Sequence, residues 1–106
     1  MCEPIVLYRE SNAVVMRCPD CGITQLAFGT GHHIFDEKEF AQLREKLAEE
    51  SKNARLSLSP SQKKFSVPIK DHYSRLWLSA NEVLELRNVV EQAAWIGMVK
   101  GILESE

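Results

Sequence analysis

Glycine and proline are sparse, five and four in 106 residues, which excludes the collagen-like and low-complexity classes. Cysteine is scarcer still, and its count of three is odd. A complete intramolecular disulfide framework is therefore excluded, and thiols or thiolate ligands in a reducing compartment are expected. No stretch reaches the roughly 18 consecutive apolar residues of a membrane helix. The opening Met1-Cys2-Glu3-Pro4-Ile5-Val6 has neither a basic leader nor a long enough apolar run for secretion, so the expected location is the cytoplasm. Neither charge sign dominates: 13 Lys and Arg face 15 Asp and Glu. Without a basic stripe or repeated aromatic platforms, nucleic-acid binding is disfavoured. Gly29-Thr30-Gly31 lacks the spacing and the following helix of a phosphate-binding or dinucleotide loop. His32, His33 and His72 have no nucleophile or paired acid at a diagnostic spacing, so an enzyme is not expected.

What is present is an ordinary globular balance in one domain-sized chain, read as a single α+β domain over residues 1–106. Ile5 to Arg9 and Ala13 to Arg17 are β-favouring runs around Glu10-Ser11-Asn12, which predicts an antiparallel hairpin. Cys18-Pro19-Asp20-Cys21-Gly22 is a tight turn, Ile23 to Phe28 the next strand, and His32 to Phe35 a short strand. A helix follows, capped by Asp36 with Glu39 three residues on and stapled by Phe35 and Phe40. Phe40, Leu43 and Leu47 share its apolar face, and Lys52-Asn53 ends it. Arg55 to Ser59 alternates polar and apolar, as does Phe65 to Ile69, where Pro68 implies a sheet edge or a strand end. Tyr73 to Leu78 is a further strand. Leu78, Ser79, Glu82 and Val83 then repeat the cap, box and staple at a second helix.

Aligning the two helix starts gives two degenerate βββα units, over 13–51 and 54–103, with Ile5 to Arg9 as an extra N-terminal strand. The implied fold is an antiparallel sheet packed against two helices. Beyond Val89 the second helix has little wholly polar face. Its small residues Ala93, Gly97 and Gly101 form an i,i+4 line along which another backbone could approach. Packing within the chain explains this line; a homodimer or protein partner through the C-terminal helix is the alternative. Trp77 and Trp95 read as core or interface anchors, and Glu39 and Glu82 as capping residues, not catalytic acids.

Cys18 and Cys21 have the two-residue spacing that brings two thiolates to one tetrahedral metal. If Arg9 pairs with Ala13, the same register carries Cys2 beside that turn, and Cys2, Cys18 and Cys21 become a zinc site. The fourth ligand is open among Asp20, Glu3, water and a processed amino terminus. His32 and His33 lie beyond the strand, about 3.3 Å per residue away from the turn. Reduced cysteines at a sheet corner, or a redox pair of Cys18 and Cys21, are the competing readings.

The segment from Arg17 to Gly29, with the early Met1-Cys2 and the chain length, resembles an uncharacterised small protein family found in Bacteroidetes. The resemblance implies no activity; it singles out Cys2, Cys18, Cys21, Gly22 and Phe28. The functional expectation is a non-enzymatic cytoplasmic zinc-binding or cysteine-knuckle domain mediating protein contact. A nucleic-acid-binding module using Lys63 and Lys64 and a thiol redox protein are the alternatives.

Overall fold

The computed structural model describes residues 3–70 and 73–104. The element order is β1 (Ile5–Glu10), β2 (Ala13–Arg17), β3 (Thr24–Phe28), β4 (Gly31–Phe35), α1 (Glu37–Arg55), β5 (Lys63–Pro68), β6 (Arg75–Ser79) and α2 (Ala80–Glu104). The expected α+β class holds, with antiparallel strands and two helices. The strands form two sheets, however: a four-stranded one ordered β1-β2-β3-β4 and the hairpin β5-β6. Among the described residues no helix is long and apolar enough to cross a membrane. The chain divides into two compact units, residues 1–37 with 89–106, and residues 38–88.

The first unit holds the larger sheet and the C-terminal part of α2. Alternation along β2, β3 and β4 gives the sheet a buried face, which includes Ala13, Val15, Leu26, Phe28 and Phe35, and Leu7 of β1 is buried as well. Val89, Val90 and Ala93 of α2 are fully buried in the same unit. A side chain at Gly97 would meet Leu7 and Arg17 at 3.5 and 3.6 Å, so this part of the small-residue line faces β1 and β2. The turn between β3 and β4 has two residues, because Phe28 pairs with Gly31. Gly29 sits at φ 60° and Thr30 is not left-handed, the pattern of a type II′ hairpin that needs glycine first.

The first hairpin pairs as expected only at its far end. Near the turn Glu10 faces Ala13 and Arg9 faces Val14, one residue off the predicted register. A bulge between Val6 and Tyr8 then restores that register at Ile5 and Arg17.

The second unit packs α1, the β5-β6 hairpin and the first turns of α2. Leu43, Leu47, Ser51 and Ala54 of α1 are buried, with Phe65, Val67, Leu78, Val83 and Leu86 in the same core. The alternating Arg55 to Ser59 segment, expected as a strand, is not one. Helix α1 runs on through Arg55, and Leu56 N–H and Ser57 N–H donate to Asn53 and Ala54 carbonyls. Those local bonds occupy the backbone that a ladder would use, and Leu56 and Leu58 remain 80% and 98% exposed. At the start of α2 the predicted capping box is complete: Ser79 N–H donates to Glu82 at 2.9 Å, and Glu82 N–H donates to the Ser79 hydroxyl at 3.2 Å.

Candidate functional site

The cysteine turn closes as a hairpin connection. Cys18 N–H donates to the Ile23 carbonyl and Gly22 N–H to the Cys18 carbonyl, both at 2.9 Å, with Gly22 at φ 74°. That left-handed residue is why glycine ends the turn. The two thiols have opposite surroundings: Cys18 is buried at 3% exposure and Cys21 is exposed. Cys2 lies outside the described residues. Among the described residues no group of three or more His, Cys, Asp or Glu is placed to hold a metal ion. The zinc site expected at Cys2, Cys18 and Cys21, and with it the zinc-binding or cysteine-knuckle function, is therefore corrected. The chain leaves strand phase at this corner: Cys18, one residue out of step with the inward Ala13 and Val15 of β2, is buried where the strand ends, whereas Cys21 is exposed in the turn.

The histidines also diverge. His32 is exposed on the outer face of the sheet, with Nε2 3.0 Å from the Gln25 side-chain oxygen. His33, on the opposite face, turns its ring toward Phe35, with centroids 6.4 Å apart. A β-carbon on Gly31 would stand 2.9 Å from His33 Nε2, so the glycine leaves room for that ring. His72 lies outside the described residues.

Glu82 is a structural carboxylate. Burial pushes its pKa up, but hydrogen bonds from Lys63 and the Ser79 backbone, the Lys63 charge and the Ser79 hydroxyl outweigh burial, leaving it below the usual value. Lys63 is thus tied to the helix cap. Lys70 and Arg75 line a groove of about 550 Å³ together with Glu39, Glu45, Glu49 and Glu50. Those carboxylates oppose a phosphate backbone in the same groove.

Sequence reasoning passed over Ser51. It is fully buried, donates to the Ala48 carbonyl at 2.8 Å and accepts from Arg87 at 2.9 Å. The signal was its place after Leu43 and Leu47 on the apolar stripe of α1, where a hydroxyl needs a partner. Trp77 and Trp95 are 58% and 59% exposed, which removes the core reading for both. Met98, one helical turn beyond Trp95, is 55% exposed. This pair is a solvent-facing apolar surface on α2, out of phase with the inward-facing Gly97, which Trp95 precedes by two residues and Met98 follows by one.

The chain belongs to a family of unknown function, DUF6686, which matches it over residues 1–100. No curated protein and no solved structure matches it.

Proposed function

We propose that the chain is a non-catalytic cytoplasmic protein-contact module that engages another protein through the outward face of the C-terminal half of α2. The observation that carries this reading is the exposure of Trp95 and Met98, 59% and 55%, on a helix whose other side is buried. A half-exposed tryptophan offers a large rigid apolar area and an indole N–H donor, the chemistry of an interface anchor. Ala93 and Gly97 do not compete for that role, because they are buried in their own unit. Nucleic acid is left out of the reading, since glutamates share the groove with Lys70 and Arg75.

A photo-crosslinking side chain at position 98, with one at the exposed Gln92 as control, tests the contact in cells. The reading expects a specific adduct from position 98. The purified partner then binds the wild type, and Trp95→Glu weakens binding roughly 30-fold, the loss of an anchor of about 2 kcal/mol. A partner that binds wild type and variant alike would sink the reading, as would the absence of any specific adduct.

A further inference from the structure

The two edges of the four-stranded sheet are built differently. The β1 edge carries the bulge between Val6 and Tyr8, follows Pro4, and includes Arg9 and Glu10. Bulges, prolines and charges are the usual devices that stop one sheet from adding to another. The β4 edge, Gly-His-His-Ile-Phe, has no proline or ionised Lys, Arg, Asp or Glu, and its pairing to β3 runs without a register shift. Its outer-face side chains are accessible, His32 exposed and Ile34 48% exposed.

The hairpin fixes which backbone groups point outward. In a two-residue turn the flanking residues exchange both ladder bonds, and such pairs recur at every second position. Gly31, His33 and Phe35 therefore bond to Phe28, Leu26 and Thr24. The N–H and C=O of His32 and Ile34 are left facing away from β3.

From this geometry we infer that β4 is a self-pairing edge, joining a second copy of the chain antiparallel about a two-fold axis at His33. In that register His32 stands opposite the partner's Ile34, and Ile34 opposite the partner's His32. Each pair exchanges two N–H to C=O bonds, so the outward donors and acceptors of both copies are satisfied together. The four-stranded sheet becomes one of eight strands, with an isologous contact that closes at two copies. A second copy fits this edge because the spacing of the two outward residues is its own complement. The inference is independent of the Trp95 surface.

The test needs no ligand: analytical ultracentrifugation of the full chain from micromolar to submillimolar concentration, with amide hydrogen exchange at the same concentrations. The expected result is a reversible dimer in which the His32 and Ile34 amides gain protection as the concentration rises. Ile34→Pro removes one outward N–H that β3 does not use, and Ile34→Lys keeps the backbone but adds charge to the edge. Each variant is expected to weaken dimerisation on the order of tenfold or more while the far-ultraviolet circular dichroism stays that of the wild type. Ile34→Lys also guards against a proline variant that does not fold. A chain that stays monomeric overturns the inference. So does a dimer that survives Ile34→Lys but is lost in Trp95→Glu, which would place self-association on α2.

Discussion

The first unit has three Lys and Arg against eight Asp and Glu, whereas the second has ten against seven, so a chain of small net charge consists of an acidic part and a basic part. Their means of stabilisation differ as well. In the first unit the sheet face follows from alternation: Val15 and Leu26 are paired across strands and wholly buried, and two-residue turns hold the register. In the second unit, side-chain hydrogen bonds join elements far apart in sequence: Arg87 to Ser51, and Lys63 to the Ser79 and Glu82 cap. Apolar order of the first kind responds to volume. Polar order of the second kind responds to partner loss and pH.

Replacing Leu26 by Ala is the most damaging single change expected. Leu26 is fully buried on the central strand β3, and truncating such a side chain costs about 2–5 kcal/mol. Urea unfolding of the variant should show a lower midpoint that changes little between neutral and mildly acidic pH. A loss below about 1 kcal/mol would refute the claim that alternation holds this unit.

Next comes the Ser51 to Arg87 bond. Ser51→Ala removes the acceptor of a guanidinium hydrogen bond and should cost about 1.5–3 kcal/mol. A double-mutant cycle separates this from helix propensity: in an Arg87→Met background the same serine change should cost clearly less. Equal costs in both backgrounds would mean that the bond contributes nothing of its own.

A smaller, pH-dependent effect belongs to the cap. Ser79→Ala should cost about 1 kcal/mol through the lost N-terminal bond of α2. The Glu82 carboxyl titrates below its ordinary value in the fold, so its contribution is complete above the unfolded pKa and disappears as pH falls through the folded one. Thermal melts of wild type and Glu82→Gln should therefore differ at about pH 6 and converge toward about pH 3. A gap that persists at the acidic end would assign the effect to packing.

The same contrast explains what could be read from sequence. Alternation and turn chemistry identified β2 at both ends and the neighbouring strands nearly so, because each inward residue is itself the signal. The second helix start was legible for a similar reason, since Ser79 and Glu82 are local partners at fixed spacing. The segment at Leu56 and Leu58 misled because period two describes side chains and not backbone partners: the end of α1 had already taken the N–H groups of Leu56 and Ser57. The cysteine turn failed at a different level. Its two-residue spacing was compatible with a shared metal, but the corner after β2 breaks the alternation, burying Cys18 while Cys21 stays at the surface. Ser51 was hidden because its partner Arg87 is 36 residues away, a pairing that periodicity does not encode.

The smallest effect expected lies at Lys70, which holds φ at 64° beside the bond from Ile69 N–H to the Ser74 carbonyl. A side chain in this left-handed region costs about 1 kcal/mol or more, and glycine does not incur that strain. Comparing wild type with Lys70→Gly alone would mix relief of strain with loss of the lysine side chain and a more flexible unfolded chain. Lys70→Ala supplies the control, because it loses the same side-chain contacts and keeps the β-carbon. Lys70→Gly should therefore be more stable than Lys70→Ala by about 0.5–1 kcal/mol, read from urea midpoints of the two variants. If alanine proves the more stable, the turn relaxes away from the left-handed conformation in solution, and this part of the second unit is governed by chain entropy instead of local strain.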